Sequence, residues 1–123
     1  MKVINIAQVE KEQVVGSLSS LFTKPVTMQP IIGPQTSKNF VITQVNFGNG
    51  IRNKFHTHDN EQILIVTGGK GIVATGEEEI VVGPGDVIYI PAGEKHWHGA
   101  TKDTAFSHLY VWMPETKTTQ LED

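Results

Sequence analysis

Short stretches rich in Val, Ile, Thr and aromatic residues recur along the chain, and each is closed by a cluster of turn formers: Gly33-Pro34, Gly48-Asn49-Gly50, Gly68-Gly69-Lys70-Gly71, Gly83-Pro84-Gly85-Asp86 and Pro91-Ala92-Gly93. This spacing is the signature of an all-β sandwich or barrel, and it predicts strands over 26–32, 39–47, 51–57, 61–67, 71–75, 79–82, 87–90, 96–99 and 105–112. One short helix is expected near Gln13 to Phe22, against the resistance of Gly16 and its serines. The polar stretch from Glu115 to Asp123 is expected to fray.

Alternation assigns faces to two of these strands. In Val41 to Phe47 the polar Gln44 and Asn46 share a side with Ile42, which turns Val41, Thr43, Val45 and Phe47 inward. In the segment 105–112, Phe106, His108, Tyr110 and Trp112 form one face and Ala105, Ser107, Leu109 and Val111 the other. Both faces are largely apolar, as in a central strand or one at a subunit interface.

At 123 residues the chain has the length of a single domain, read here as 1–123. A formal charge of −3 with Lys and Arg scattered singly offers no basic footprint for nucleic acid or an anionic membrane. With no cysteine, thiolate-bound zinc, disulfides and cysteine nucleophiles are excluded, so any metal must be held by N and O donors. The longest aliphatic run is Ile63 to Val66, too short to cross a bilayer, and a cytoplasmic location is expected. The triplet Glu77-Glu78-Glu79 sits at a turn and reads as a solvated hairpin tip.

Candidate chemistry is concentrated in the histidines. His56 and His58 lie two apart on a predicted strand, so both imidazoles project to one face, and His96 arrives from a strand two turns further on. His108 shares its strand face with Phe106 and Tyr110; an imidazole among apolar side chains is held neutral and can accept a proton. His98, two beyond His96, falls on the same face and is a candidate proton donor or anchor. Thr43, Val45, Phe106 and Tyr110 are the expected pocket walls.

Two blocks combine these residues: Gly50-x5-His56-x-His58-x3-Gln62-x6-Gly69, and Gly85-x5-Pro91-x-Gly93-x2-His96. Together they resemble the cupin superfamily over about residues 39–112, which implies a jelly-roll β-barrel, also called a double-stranded β-helix, with its site in the mouth. The resemblance implies His56, His58, Gln62 and His96 as the metal ligands. Gln62 stands where the family usually has Glu, and Ala100 where its second block ends in Asn. Glu61 is the rival ligand, one residue out of register and on the other strand face.

The run Gly93 to Ala100 with Thr104 and His108 is similar to single-domain cupins related to carboxymuconolactone decarboxylase-associated proteins, some of them manganese-dependent hydroxynitrile lyases. That likeness implies a divalent ion, Mn first and Fe(II), Co, Ni or Zn as alternatives, acting as a Lewis acid on a small oxygen-bearing substrate. An Fe(II)-dependent dioxygenase and a non-catalytic ligand-binding or sensor cupin are the alternative functions. A homodimer is expected, through the doubly apolar last strand and the Val3 to Val9 segment.

Overall fold

A computed structural model describes residues 1–123. Eleven strands account for most of the regular secondary structure: β1 (Glu12–Gln13), β2 (Thr27–Ile32), β3 (Val41–Phe47), β4 (His56–His58), β5 (Gln62–Gly69), β6 (Gly71–Thr75), β7 (Glu79–Val82), β8 (Val87–Ile90), β9 (His96–Ala100), β10 (Phe106–Trp112) and β11 (Thr118–Gln120). They form a six-stranded sheet in the order β1-β2-β3-β10-β5-β8 and a five-stranded sheet in the order β11-β4-β9-β6-β7, every pairing antiparallel. From β3 onward the chain passes from one sheet to the other at every step except the β6–β7 hairpin, the arrangement of a jelly roll. No helix is long and apolar enough to cross a membrane.

The alternation expected of β3 is present, with Thr43, Val45 and Phe47 buried. Its opposite face is polar but not idle. Asn46 Nδ2 donates to Gln29 Oε1 at 3.0 Å, Ser107 Oγ donates to Asn46 Oδ1 at 2.8 Å, and Gln29 Nε2 donates to the carbonyls of Ile6 and Val9, pinning the N-terminal segment to β2. Strand β10 lies between β3 and β5, with Phe106 and His108 buried on its inner face and Ser107, Leu109 and Val111 only half-buried on the outer one. Between the sheets a core of Val26, Val45, Phe47, Val66, Val82 and Phe106 is completed by Phe22 from the N-terminal region.

Three expectations are corrected. The predicted helix is instead β1 followed by a 3-10 turn, Gly16–Leu21, because Gly16 takes a positive φ of 72° and breaks any helical run. The predicted strand 51–57 is regular only over His56–His58; residues before it make isolated bridges, Arg52 to Gly99 and Asn53 to Phe22, as the chain bends to deliver the Asn53 side chain inward. The polar C-terminal stretch does not fray as a whole. β11 pairs with β4, and Glu122 accepts from the Phe55 N–H and from the Arg52 guanidinium, each at 2.8 Å. The other edge of β4 is taken by β9, so β11 supplies hydrogen bonds that a three-residue strand would otherwise lack.

The turn that carries the chain from β5 in one sheet to β6 in the other depends on Gly69, whose φ is +70° and whose Cα faces the backbone carbonyl of Ala105 with no room for a Cβ. Gly69→Ala is expected to cost roughly 3 kcal/mol or more, read as a fall in the midpoint of thermal or urea unfolding.

Candidate metal centre

His56 and His58 point inward from β4, with Thr57 between them facing the other way. The β4–β9 register sets His96 directly opposite His56. The ring centroids lie 4.8 Å apart for His56–His58, 4.3 Å for His56–His96 and 5.0 Å for His58–His96. One nitrogen from each ring falls within 4.8 Å of the others, a spacing suited to a shared ion. Gln62, the first residue of β5, is buried and lines the same cavity as His56 and His58. Glu61 is exposed and bonded to the Tyr89 hydroxyl, turned away from this cluster.

Local backbone contacts orient two of the rings. His56 Nδ1 is 2.6 Å from the Lys54 carbonyl, and His96 Nδ1 is 2.8 Å from the Glu94 carbonyl. A carbonyl can only accept, so the proton resides on Nδ1 and the Nε2 lone pair is left for a metal. His96 Nε2, His58 Nδ1 and Gln62 Oε1 are buried with no hydrogen-bond partner. Buried polar atoms are rarely left unpaired, and three in one cluster fit a cation that needs N and O donors.

Burial also keeps the imidazoles uncharged. It lowers His56 to about 4, helped by the neighbouring His96, and His58 to about 3, helped by His56 and His96. His96 is lowered by burial as well. Neutral imidazole is the form that binds a metal, so the ligand set is deprotonated well below neutral pH.

A second histidine pair adjoins the cluster. His98 on β9 and His108 on β10 are connected by a 3.0 Å contact between His98 Nδ1 and His108 Nε2, in which one ring donates and the other accepts. Asn53 clamps His98: its N–H donates to the His98 carbonyl, its Oδ1 accepts from the His98 N–H at 2.8 Å, and its Nδ2 approaches the two ring nitrogens at 3.3 and 3.5 Å. Burial holds His98 well below the ordinary histidine value, reinforced by His108, and lowers His108 to about 4.

A cavity of about 90 Å³ brings His56, His58, Gln62 and His98 to one space. Its apolar walls come from Phe22, Met28, Val45, Phe47, Tyr110 and Trp112, with Leu18 and Leu21 from the 3-10 turn closing the outer side. Of the expected pocket residues, Val45 and Tyr110 line it and Thr43 and Phe106 do not. Thr43 is buried opposite Tyr110 in the β3–β10 register, and Phe106 stacks on Phe47 at 5.9 Å within the core. His108 is likewise behind the wall, reaching the cavity only through His98.

Asn53, Trp112, Leu18 and Leu21 were not anticipated. Trp112 shares the β10 face with His108 and packs edge-on against His58 at 5.0 Å, so alternation could have found it. Nothing in local sequence marks Asn53 or the two leucines.

Comparison with known proteins agrees with this geometry. A family profile described as a cupin domain matches residues 44–112. The chain is 38% identical over 91 residues, 73% of its length and 70% of the relative's, to an (R)-mandelonitrile lyase from Granulicella tundricola. Among solved structures, a cupin-like protein from Thermotoga maritima superposes with a TM-score of 0.80 at 32% identity, covering 88% of this chain and 84% of that one. A polyketide cyclase from Streptomyces resistomycificus superposes with a TM-score of 0.81 at 23% identity, covering 100% and 88%, a likeness of fold. The chain belongs to the cupin family.

The neutral state of the buried histidines has a consequence for acid stability. Their folded values lie below 6.5, so on acidification the unfolded chain takes up protons first and stability falls between about pH 6.5 and 4. For His108 that shift corresponds to on the order of 3 kcal/mol across the window. Urea unfolding of metal-free protein at stepped pH should show the decline, and His108→Leu should flatten it.

Proposed function

We propose that the protein is a manganese-dependent lyase acting on a small, oxygen-bearing molecule, with His56, His58, Gln62 and His96 as metal ligands. The observation that carries this reading is the meeting of the unpaired Gln62 oxygen, two ligand imidazoles and a further imidazole, His98, in one apolar cavity. The mandelonitrile lyase named above supports the reaction type. A divalent ion at this site supplies Lewis-acid stabilisation of negative charge developing on a substrate oxygen.

The chain's own residues supply the proton chemistry and the enclosure. His98 is the base in the cavity wall, kept uncharged by burial so that a ring nitrogen is free of a proton it would otherwise hold. His108 and Asn53 hold its ring from behind, and His108 shares the proton across their contact. For a cyanohydrin, loss of the hydroxyl proton to His98 accompanies cleavage of the bond to the nitrile carbon. The products are a carbonyl compound and cyanide, and returning the proton to cyanide restores His98. Phe22, Phe47 and Trp112 exclude water and receive the apolar part of the substrate.

For assembly we propose a homodimer through the outer face of the six-stranded sheet, where β-register aligns Ile42, Val111, Ile63 and Tyr89 in one row. Light scattering coupled to gel filtration tests it.

His96→Ala should lower metal content to below about a tenth of wild type while the barrel stays folded, measured by elemental analysis and circular dichroism. Full occupancy in that variant would remove the assigned ligand set. His108→Ala should retain metal and lose roughly 100-fold in kcat for cyanohydrin cleavage with KM little changed. Oxygen uptake by Fe(II)-loaded protein, with no cleavage in the Mn(II) form, would replace the lyase with a dioxygenase.

A further inference from the structure

The cavity wall contains no Asp, Glu, Lys or Arg; its polar groups are imidazoles, amides, hydroxyls and an indole, all neutral. The carboxylates around the site lie outside that cavity. Glu94, whose charge reaches His96, is exposed and lines a separate hollow with Glu78 on the far side of that ring. Glu122 is spent on Arg52 and the Phe55 N–H, and Glu61 on Tyr89.

A dication held by three imidazoles and an amide oxygen would therefore keep its whole charge in a largely apolar enclosure. Buried charge is costly unless a counter-charge lies beside it, and the cavity wall provides none, the one carboxylate felt by a ligand being the exposed Glu94 behind His96. The geometry points to an anion-binding subsite in the 90 Å³ cavity, where a small monoanion completes the charge balance of the metal centre that Gln62 leaves unpaid. This rests on the metal site proposed above but not on the reaction.

Cavity size and lining narrow the ligand class. A space of about 90 Å³ is smaller than the ~150 Å³ cavity that takes up benzene, so the fit is to a short-chain carboxylate, cyanide or a comparably small anion. The charged end would lie toward His56, His58 and Gln62, and the apolar end toward Phe22, Phe47 and Trp112. Leu18, half exposed on the 3-10 turn, forms part of the wall beside the apolar end. In the lyase reading, departing cyanide is an anion of this kind.

Binding of the two ligands is reciprocal: an anion that prefers the metal-loaded protein must tighten the metal by the same factor. Propionate and propionamide are near-isosteric and differ in charge, which separates charge pairing from cavity filling. Isothermal titration of Mn(II) into metal-free protein at neutral pH, with bulky sulfonate as the only other anion, should give at least tenfold tighter Mn(II) binding with saturating propionate than with propionamide. Gln62→Glu supplies the missing charge and should abolish that difference, with circular dichroism checking its fold. Equal effects of acid and amide on the wild-type protein would overturn the subsite while leaving the metal centre standing. A tenfold preference that persists in folded Gln62→Glu would overturn the charge-balance account. Failure of wild-type protein to bind Mn(II) would overturn the metal centre and the subsite together, whereas absence of cyanohydrin cleavage would overturn the reaction alone.

Discussion

Strand β4 is three residues long, and the candidate metal centre depends on how it is held. On one side it meets β9 in a single register pair, His56 opposite His96; on the other, β11 supplies the remaining ladder. Strands this short are marginal alone, and a slip of one residue would turn both His56 and His58 out to solvent. The Glu122 carboxylate, by fastening Phe55 and Arg52, secures the chain just before β4. That attachment is strongest where Glu122 is ionised. Its carboxyl is held below the ordinary value by the Phe55 N–H first and by Arg52 second, so its contribution is present above that value and fades as acid carries the pH through the lowered one.

Around that strand the interior tolerates a concentration of polar groups that a β-sandwich core normally excludes. Five buried histidines lie between the sheets, with Phe47 touching the inner pair: its ring lies 6.2 Å from His98 and 5.5 Å from His108. Apolar packing and imidazole neutrality support each other, since the low-dielectric surroundings remove the charge and the uncharged rings then pack as aromatic bodies. The cost shows as unpaired nitrogens at His58, His96 and His108.

Much of this could be read from the chain before its fold was known. Turn clusters marked the strand boundaries, strict alternation in Val41 to Phe47 oriented β3, and the spacing of His56, His58 and His96 drew attention to the cluster the fold assembles. What escaped were contacts between residues distant in sequence. A polar C-terminal stretch looks free until β4 is seen to need an edge partner. Asn53 carries no periodic signal, because its buried position comes from a bend and from pairing with His98. Thr43 and Phe106 were on the correct inward face but at the wrong depth. Facing follows from parity, whereas position along the barrel axis follows from registers and bulges such as the one between Ser107 and His108.

The imidazoles of His56 and His96 are each aimed by the carbonyl two residues earlier in their own chain, at Lys54 and Glu94. Aim is thus delegated to main chain, a part of the molecule that no ordinary substitution alters chemically. Of the side chains at those two positions Lys54 is half-buried and Glu94 exposed, and both carry charge. Mutational drift at Lys54 or Glu94 could retune the electrostatic environment of the ligands across generations while leaving the direction of their lone pairs untouched.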